Sequence, residues 1–379
     1  TGATPNGGTG SNGGSGGISG SAGVTFGGSG GQPSDGGDAM PDAPLDTNCA
    51  ANLQIDKLNC GYCGHDCLGG DCVGGKCQPI ALGTPIQYGA NDLALGPDAV
   101  FVANGFQHAM HKVPKVGGSI STWGTGTALT QIREYQGTLY FNEYGAWTIW
   151  KVPATGALLP QLFHDASTVV DSLAVDASGV YFFMCPSIDD GMLYHVPLAG
   201  ATTATTLTGL TNCGEQLVLD ATTVYFSSLY DYVAPGLYKV AKSGGTPSPV
   251  TLTSDPTWAL IQDGSDLYFT TADVSGYGEL IKIKKDGTGK TTLTGGLNGG
   301  GWLVIDGGYL YVTTRGTIGS NYADGAIYRL QLGVASPPVD VVWENLQQPT
   351  AFAADATAFY WVERGLYPSG SGQIKKLAK

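Results

Sequence analysis

The sequence predicts an all-β protein: a seven-bladed β-propeller closed by an N-terminal outer strand, preceded by a small disulfide-rich module and a Gly-rich tail. Three observations carry this. An aromatic strand motif recurs seven times at blade-length spacing. The seventh repeat lacks an outer strand, while a spare strand precedes the first. Six of the eight cysteines crowd into one short segment.

The repeat is the strongest signal. Its aromatic strands are Val100-Phe101-Val102, Leu139-Tyr140-Phe141, Val180-Tyr181-Phe182, Val224-Tyr225-Phe226, Leu267-Tyr268-Phe269, Leu310-Tyr311-Val312 and Phe359-Tyr360-Trp361, with centres between 39 and 49 residues apart. That is about the length of one four-stranded blade. In the third repeat the inner strand is Leu173 to Asp176 and the second is Val180 to Met184. The third is Leu193 to Pro197, and Ala204 to Leu207 forms the outer one. Asp176, Asp220, Asp306 and Asp355 recur at the ends of inner strands. Asp before a short turn caps backbone N–H groups, a simpler role than a ring of catalytic carboxylates.

The seventh repeat ends with Gln373 to Leu377, its third strand, and Pro79 to Ile86 reads as an outer strand. Pairing the two completes the last blade and hides the edges of the first and last blades.

The segment from Cys49 to Cys77 holds Cys49, Cys60, Cys63, Cys67, Cys72 and Cys77. So short a stretch cannot build an apolar core, so cross-links must hold it. Zinc is the competing reading, because Cys60 and Cys63 resemble half a knuckle and His65 is near, but a second knuckle is missing. Six cysteines allow 15 pairings and the sequence does not choose among them. The remaining two, Cys185 and Cys213, fall in connections at the same end of adjacent blades, so a disulfide between them is expected. Closing that loop contributes roughly 3–4 kcal/mol in the chain-entropy model.

Three regions follow: a Gly/Ser-rich extended tail over 1–47, a disulfide-rich module over 48–78 and the propeller over 79–379. In the tail, Gly recurs every third residue, and Ile18, Val24 and Phe26 are isolated apolar residues in a neutral tract. Val24 and Phe26 stand at strand spacing, so they share one face. Such a segment serves as a flexible linker, or as an assembly element that lies along a neighbouring copy of the chain and links it into filaments.

The repeats LAVDASGVYFFM and AFAADATAFYWVE resemble those of YWTD/NHL-type β-propellers. The leader NCGYCGHDC resembles a Cys-rich module found on secreted bacterial propellers of that kind. The resemblance covers roughly residues 49–379 and implies fold and compartment. It leaves function open, since propellers host binding, scaffolding and catalysis alike.

Net charge is −13 and only 13% of residues are charged. A chain so poor in Lys and Arg is a bad partner for nucleic acid or an anionic membrane surface. The sequence contains no apolar run that would serve as a transmembrane segment. An even cysteine count and a start at Thr1 without Met point to a processed, extracellular or cell-surface protein. No HExxH, GxSxG or P-loop motif appears.

Loops joining second to third strands share one end of the ring with the connections between blades. They gather Tyr230, Tyr232, Trp258, Tyr277, Trp302 and Tyr322, an aromatic ligand face suited to carbohydrate. Asp189, Asp190 and Asp231 offer carboxylates for calcium in the same loops, and no other cofactor is expected. Three functions are therefore expected in order. The first is a non-enzymatic extracellular structural or adhesive protein that assembles with itself through the tail. The second is a carbohydrate-binding propeller, and the third a propeller hydrolase or lyase with carboxylates at the channel mouth.

Overall fold

The computed structural model describes residues 46–379, apart from 125–126, 157–158, 188–189, 200–202, 211–213, 229–234, 274–275 and 365–369. Its described residues form seven four-stranded antiparallel sheets arranged as propeller blades, plus one two-stranded hairpin. The repeat explains the architecture. Each second strand carries two consecutive large residues whose side chains point to opposite faces, and each face is covered by a neighbouring blade. Phe141, Phe182, Phe226, Phe269 and Trp361 are buried on one set of faces, and so are Phe101, Tyr140, Tyr181, Tyr225, Tyr268, Tyr311 and Tyr360 on the other. The core is accordingly seven clusters, one at each blade-to-blade interface, rather than a single centre.

Blade 3 runs Val170–Asp176, Gly179–Ser187, Asp190–Val196 and Thr205–Leu210, inner to outer. Blade 7 runs Pro349–Ala354, Ala358–Glu363 and Ser371–Ala378, and is completed by Ile80–Gln87. Ile80 pairs with Lys376, Leu82 with Ile374 and Ile86 with Gly372. Leu82 and Ile86 are buried, each contributing about 1.5–3 kcal/mol. The strand bulges between them at Gly83, whose φ is +71° and where a Cβ would meet Ile120 at 2.7 Å. Only glycine fits that crossing.

The module is held by Cys49–Cys63, Cys60–Cys72 and Cys67–Cys77. Its buried cysteines pack against Phe359, Leu377 and Ala378 of blade 7, and the Lys376 ammonium donates to the Leu68 carbonyl at 3.4 Å. These cross-links indicate an oxidising environment. Among the described residues no helix is long and apolar enough to cross a membrane.

One end of the ring carries the tight turns between inner and second strands. Here three of the four recurring aspartates cap the turns: Asp176 accepts from Ser178 N, Asp220 from Thr222 and Thr223 N, and Asp355 from Thr357 and Ala358 N, whereas the Asp306 carboxylate accepts from Lys379 instead of a turn N–H. They also do something the repeat did not announce. Lys242 of blade 4 pairs with Asp176 of blade 3, Lys285 of blade 5 with Asp220 at 3.4 Å, and Lys115 of blade 1 with Asp355 at 2.9 Å. The Lys379 ammonium likewise meets Asp306 of blade 6 at 2.6 Å. In the first three pairs the same ammonium lies over Tyr181, Tyr225 or Tyr360 of the blade it bonds. Cation, carboxylate and ring thus form a repeated rivet across blade interfaces. Burial pushes the Asp355 carboxyl up, but Lys115 and the Thr357 amide outweigh it and hold it down at about 2.

Candidate functional site: the loop end of the ring

The opposite end gathers the connections between blades and the loops joining second to third strands. Its inner rim is built by a repeated irregularity. The inner strands of blades 1, 3, 4, 5 and 7 slip register near their start, between Ala90/Asp92, Val170/Ser172, Gly214/Gln216, Thr257/Ala259 and Pro349/Ala351. Each bulge leaves one residue out of the ladder, and among those whose side chains are described these are Asn91, Asp171, Trp258 and Thr350. Neighbouring blades are stitched here by side chains bonding to backbone. Asn91 donates to Leu129 O at 2.9 Å, Thr270 to Gly301 O at 3.2 Å and Thr350 to Ala90 O at 3.1 Å. A buried ion pair joins Asp92 of blade 1 to Arg133 of blade 2, and Arg133 donates further to Gln131 at 3.0 Å.

Asp171 differs from its neighbours. It makes no hydrogen bond or ion pair to another described residue, and burial pushes its carboxyl up to about 6.

On the side of blades 5, 6, 7 and 1 the rim is aromatic and cationic. The Arg315 guanidinium lies over the Trp258 ring at 5.3 Å and the Tyr322 ring at 5.2 Å. Arg364 lies over Tyr88 at 4.5 Å. Arg364 N donates to Gln348 O at 3.1 Å and Gln348 N donates to the carbonyl of Tyr322, whose ring lies against Arg315, so the backbone sets the two arginines on adjoining segments. Burial lowers the Arg364 pKa and the Arg315 charge lowers it further. The Arg315 loop is locked in shape by Asp324, which accepts from Thr317 N at 2.7 Å, Thr317 Oγ1 at 2.9 Å, Asn298 at 3.1 Å and the Ser320 hydroxyl. Gly316 has φ +89°, and a Cβ there would strike Asp324 Oδ1 at 2.8 Å. Tyr322 itself has φ +59°, a left-handed conformation costly for a bulky residue. Two backbone bonds hold it: its N–H donates to Thr317 O at 2.9 Å, and its carbonyl accepts from Gln348 N at 2.9 Å.

Of the expected ligand-face residues, the ring brings Trp258 and Tyr322 together on Arg315. Trp302 instead packs against the core cluster between blades 6 and 7, because it sits one step past the equivalent of the bulged position and points between blades. Tyr277 is half exposed at the start of the third strand of blade 5, and no cation or ring contact joins it to the arginine cluster. Tyr230 and Tyr232 lie outside the described residues. So do Asp189 and Asp231 of the calcium reading, leaving Asp190 exposed at the head of a strand. Ile18, Val24 and Phe26 of the tail lie outside as well. Cys185 is disulfide-bonded; Cys213, its expected partner, falls outside the described residues.

The zinc reading of the module meets its chemistry here. The sulfurs of Cys60, Cys67 and Cys77 converge within 4.8 Å, and His65 Nε2 lies 3.7 Å from Cys77 Sγ. All three sulfurs are spent in disulfides, so none is a thiolate. Two residues that sequence reading missed are Arg315 and Arg364. A signal was present: each follows the repeat tyrosine by four positions, and each is followed by glycine, at Gly316 and Gly365.

No protein-family model matches the chain, and no curated protein matches its sequence. Solved structures match its fold. The chain is similar to a streptogramin B lyase at 12% identity and TM-score 0.59, over 80% of this chain and 97% of that one. It is similar to a catalytically inactive virginiamycin B lyase variant from Staphylococcus aureus, solved with quinupristin, at 11% identity and TM-score 0.57, over 80% and 98%. U3-55K matches at 11% identity and TM-score 0.58, over 79% and 98%. At such identities the likeness is one of fold.

Proposed function

We propose that this protein is an extracellular, non-enzymatic binding propeller that takes a small ligand, carbohydrate foremost, at the loop end of its ring. One observation carries the reading: Arg315 and Arg364 are held over aromatic rings where the loops of blades 5 to 7 and the entry to blade 1 converge. Rigid blades with an aromatic, hydrogen-bonding rim favour recognition of a sugar, which offers both apolar faces and polar edges. The disulfides support a location outside the reducing cytoplasm. The cluster of Tyr88, Trp258, Arg315, Tyr322 and Arg364 contains neither histidine nor carboxylate, which favours binding over the hydrolase or lyase reading. Calorimetry of the full chain against a panel of oligosaccharides tests this. Saturable binding that Tyr322→Ala and Trp258→Ala weaken supports it. Binding that neither variant touches moves the site elsewhere, and absence of any binding removes the reading.

The self-assembling, adhesive reading rests on the spacing of Val24 and Phe26 and on the glycine period of the tail. Light scattering decides it: a full chain heavier than one lacking residues 1–45 favours assembly, and equal monomeric masses make the tail a linker.

A further inference from the structure

The geometry points to a carboxylate-binding subsite: Arg315 and Arg364 together receive the acid group of an acidic sugar, which makes the ligand of the proposed site anionic. This rests on the ligand-binding reading above and names its substrate class.

A guanidinium carries five N–H donors and no acceptor. Neither Arg315 nor Arg364 forms an ion pair with any described carboxylate, although Lys+Arg 18 is outnumbered by Asp+Glu 31 in the chain. The nearest acid in the Arg315 loop, Asp324, is consumed by Thr317, Ser320 and Asn298. Arg364 Nε is shut away from solvent with no acceptor, so that guanidinium is already partly desolvated. Its terminal nitrogens, and those of Arg315, make no hydrogen bond to a described residue and are not sealed from solvent.

Two like charges held as neighbours repel. Burial and Arg315 both make the Arg364 cation less favourable, with only Tyr88 opposing. An anion between the two would relieve the repulsion and supply acceptors to planar forks suited to a carboxylate. The rest of the molecule selects the size of that anion. At net charge −13 a polyanion is repelled as a whole, whereas a short ligand with one or two acid groups meets only the local field. Trp258, Tyr88 and Tyr322 back the guanidiniums with rings, and no described carboxylate pairs with their charge. The strained Tyr322 backbone and the Gly316 turn show that the loop is built to hold this arrangement.

Calorimetry at low salt on the full chain, with uronate-ended di- and trisaccharides and their uncharged methyl esters, tests the inference. The acids are expected to bind about ten- to a hundredfold more tightly than the esters, the range of a hydrogen bond to a charged group. Arg315→Gln and Arg364→Gln should each lose at least about tenfold for the acids and little for the esters. Lys239→Gln, on the third strand of blade 4, should change neither. If Arg364→Gln fails to fold, Arg315→Gln on its surface loop decides alone. Equal binding of acids and esters would overturn the carboxylate subsite while leaving a sugar-binding mouth. Inorganic sulfate binding as tightly as the saccharide acids would overturn the sugar part of the inference, and no saccharide binding at all would sink both readings.

Discussion

The two ends of the ring use the same ingredients to opposite effect. At the turn end, Lys115, Lys242 and Lys285 each sit over a tyrosine of the neighbouring blade and reach its aspartate. At the loop end, Arg315 and Arg364 sit over aromatic rings as well, but no described carboxylate completes the set. Asp171, a carboxylate at that end, is likewise left without a described partner. Closed charge sets stabilise interfaces; open ones carry a desolvation cost that pure structure would not retain. The contrast therefore separates the end that fastens the blades from the end that meets a ligand.

That contrast can be broken by measurement. The largest effect belongs to the fastening of the ring itself. Leu82→Ala in the closing strand should cost about 2–5 kcal/mol in urea unfolding, whereas removing residues 1–45 should cost close to nothing. Similar midpoints for the two proteins would mean that the closing strand does not hold the ring.

Next comes the rivet. The folded Asp355 carboxyl titrates at about 2, below its unfolded value of about 3.9. Its stabilisation is therefore complete above about pH 4 and disappears as pH falls through that value towards 2. Asp355→Asn should cost about 2 kcal/mol at pH 7 and progressively less in acid. A cost that stays constant with pH would assign the effect to lost packing rather than charge.

The loop end should show the opposite sign. Asp171 is raised to about 6, so the folded state binds its proton more tightly than the unfolded state does. Stability then falls as pH rises from about 4 to 6 and stays lower beyond. Asp171→Asn should stabilise by about 1–2 kcal/mol above pH 6, after allowance for solvent screening, and by nothing near pH 4. Destabilisation at pH 8 would reveal a partner that holds the ionised form.

The smallest effect contrasts the cations directly. Arg315→Met should lower stability by about 1 kcal/mol, the value of a half-buried cation–ring contact. Lys115→Met should cost about as much as losing Asp355, because it strands that carboxylate. Matching thermal shifts for the two variants would erase the difference between the ends.

The blades, their number and the closure were legible along the chain, because the large residues of the second strands answer to local alternation and to burial on both faces. That the module must be cross-linked was legible too, since six cysteines in so short a segment admit no core. Local capping by Asp176, Asp220 and Asp355 was legible for the same reason: the bonds reach only two or three residues along the chain. The pairing of the cysteines was left open by their spacing, which admits fifteen arrangements, and is seen only in the folded module, whose buried cysteines share a cluster with Phe359 and Leu377 of blade 7. The folded ring alone moved Trp302 into an interface while leaving Trp258 on the rim, a matter of one step in register at a bulge. And it alone joined Tyr88, Trp258, Arg315, Tyr322 and Arg364, since closing the ring brings blade 7 beside blade 1. No spacing along the chain encodes that adjacency; the repeated Arg-Gly step marks the position in two blades, and the circle supplies the rest.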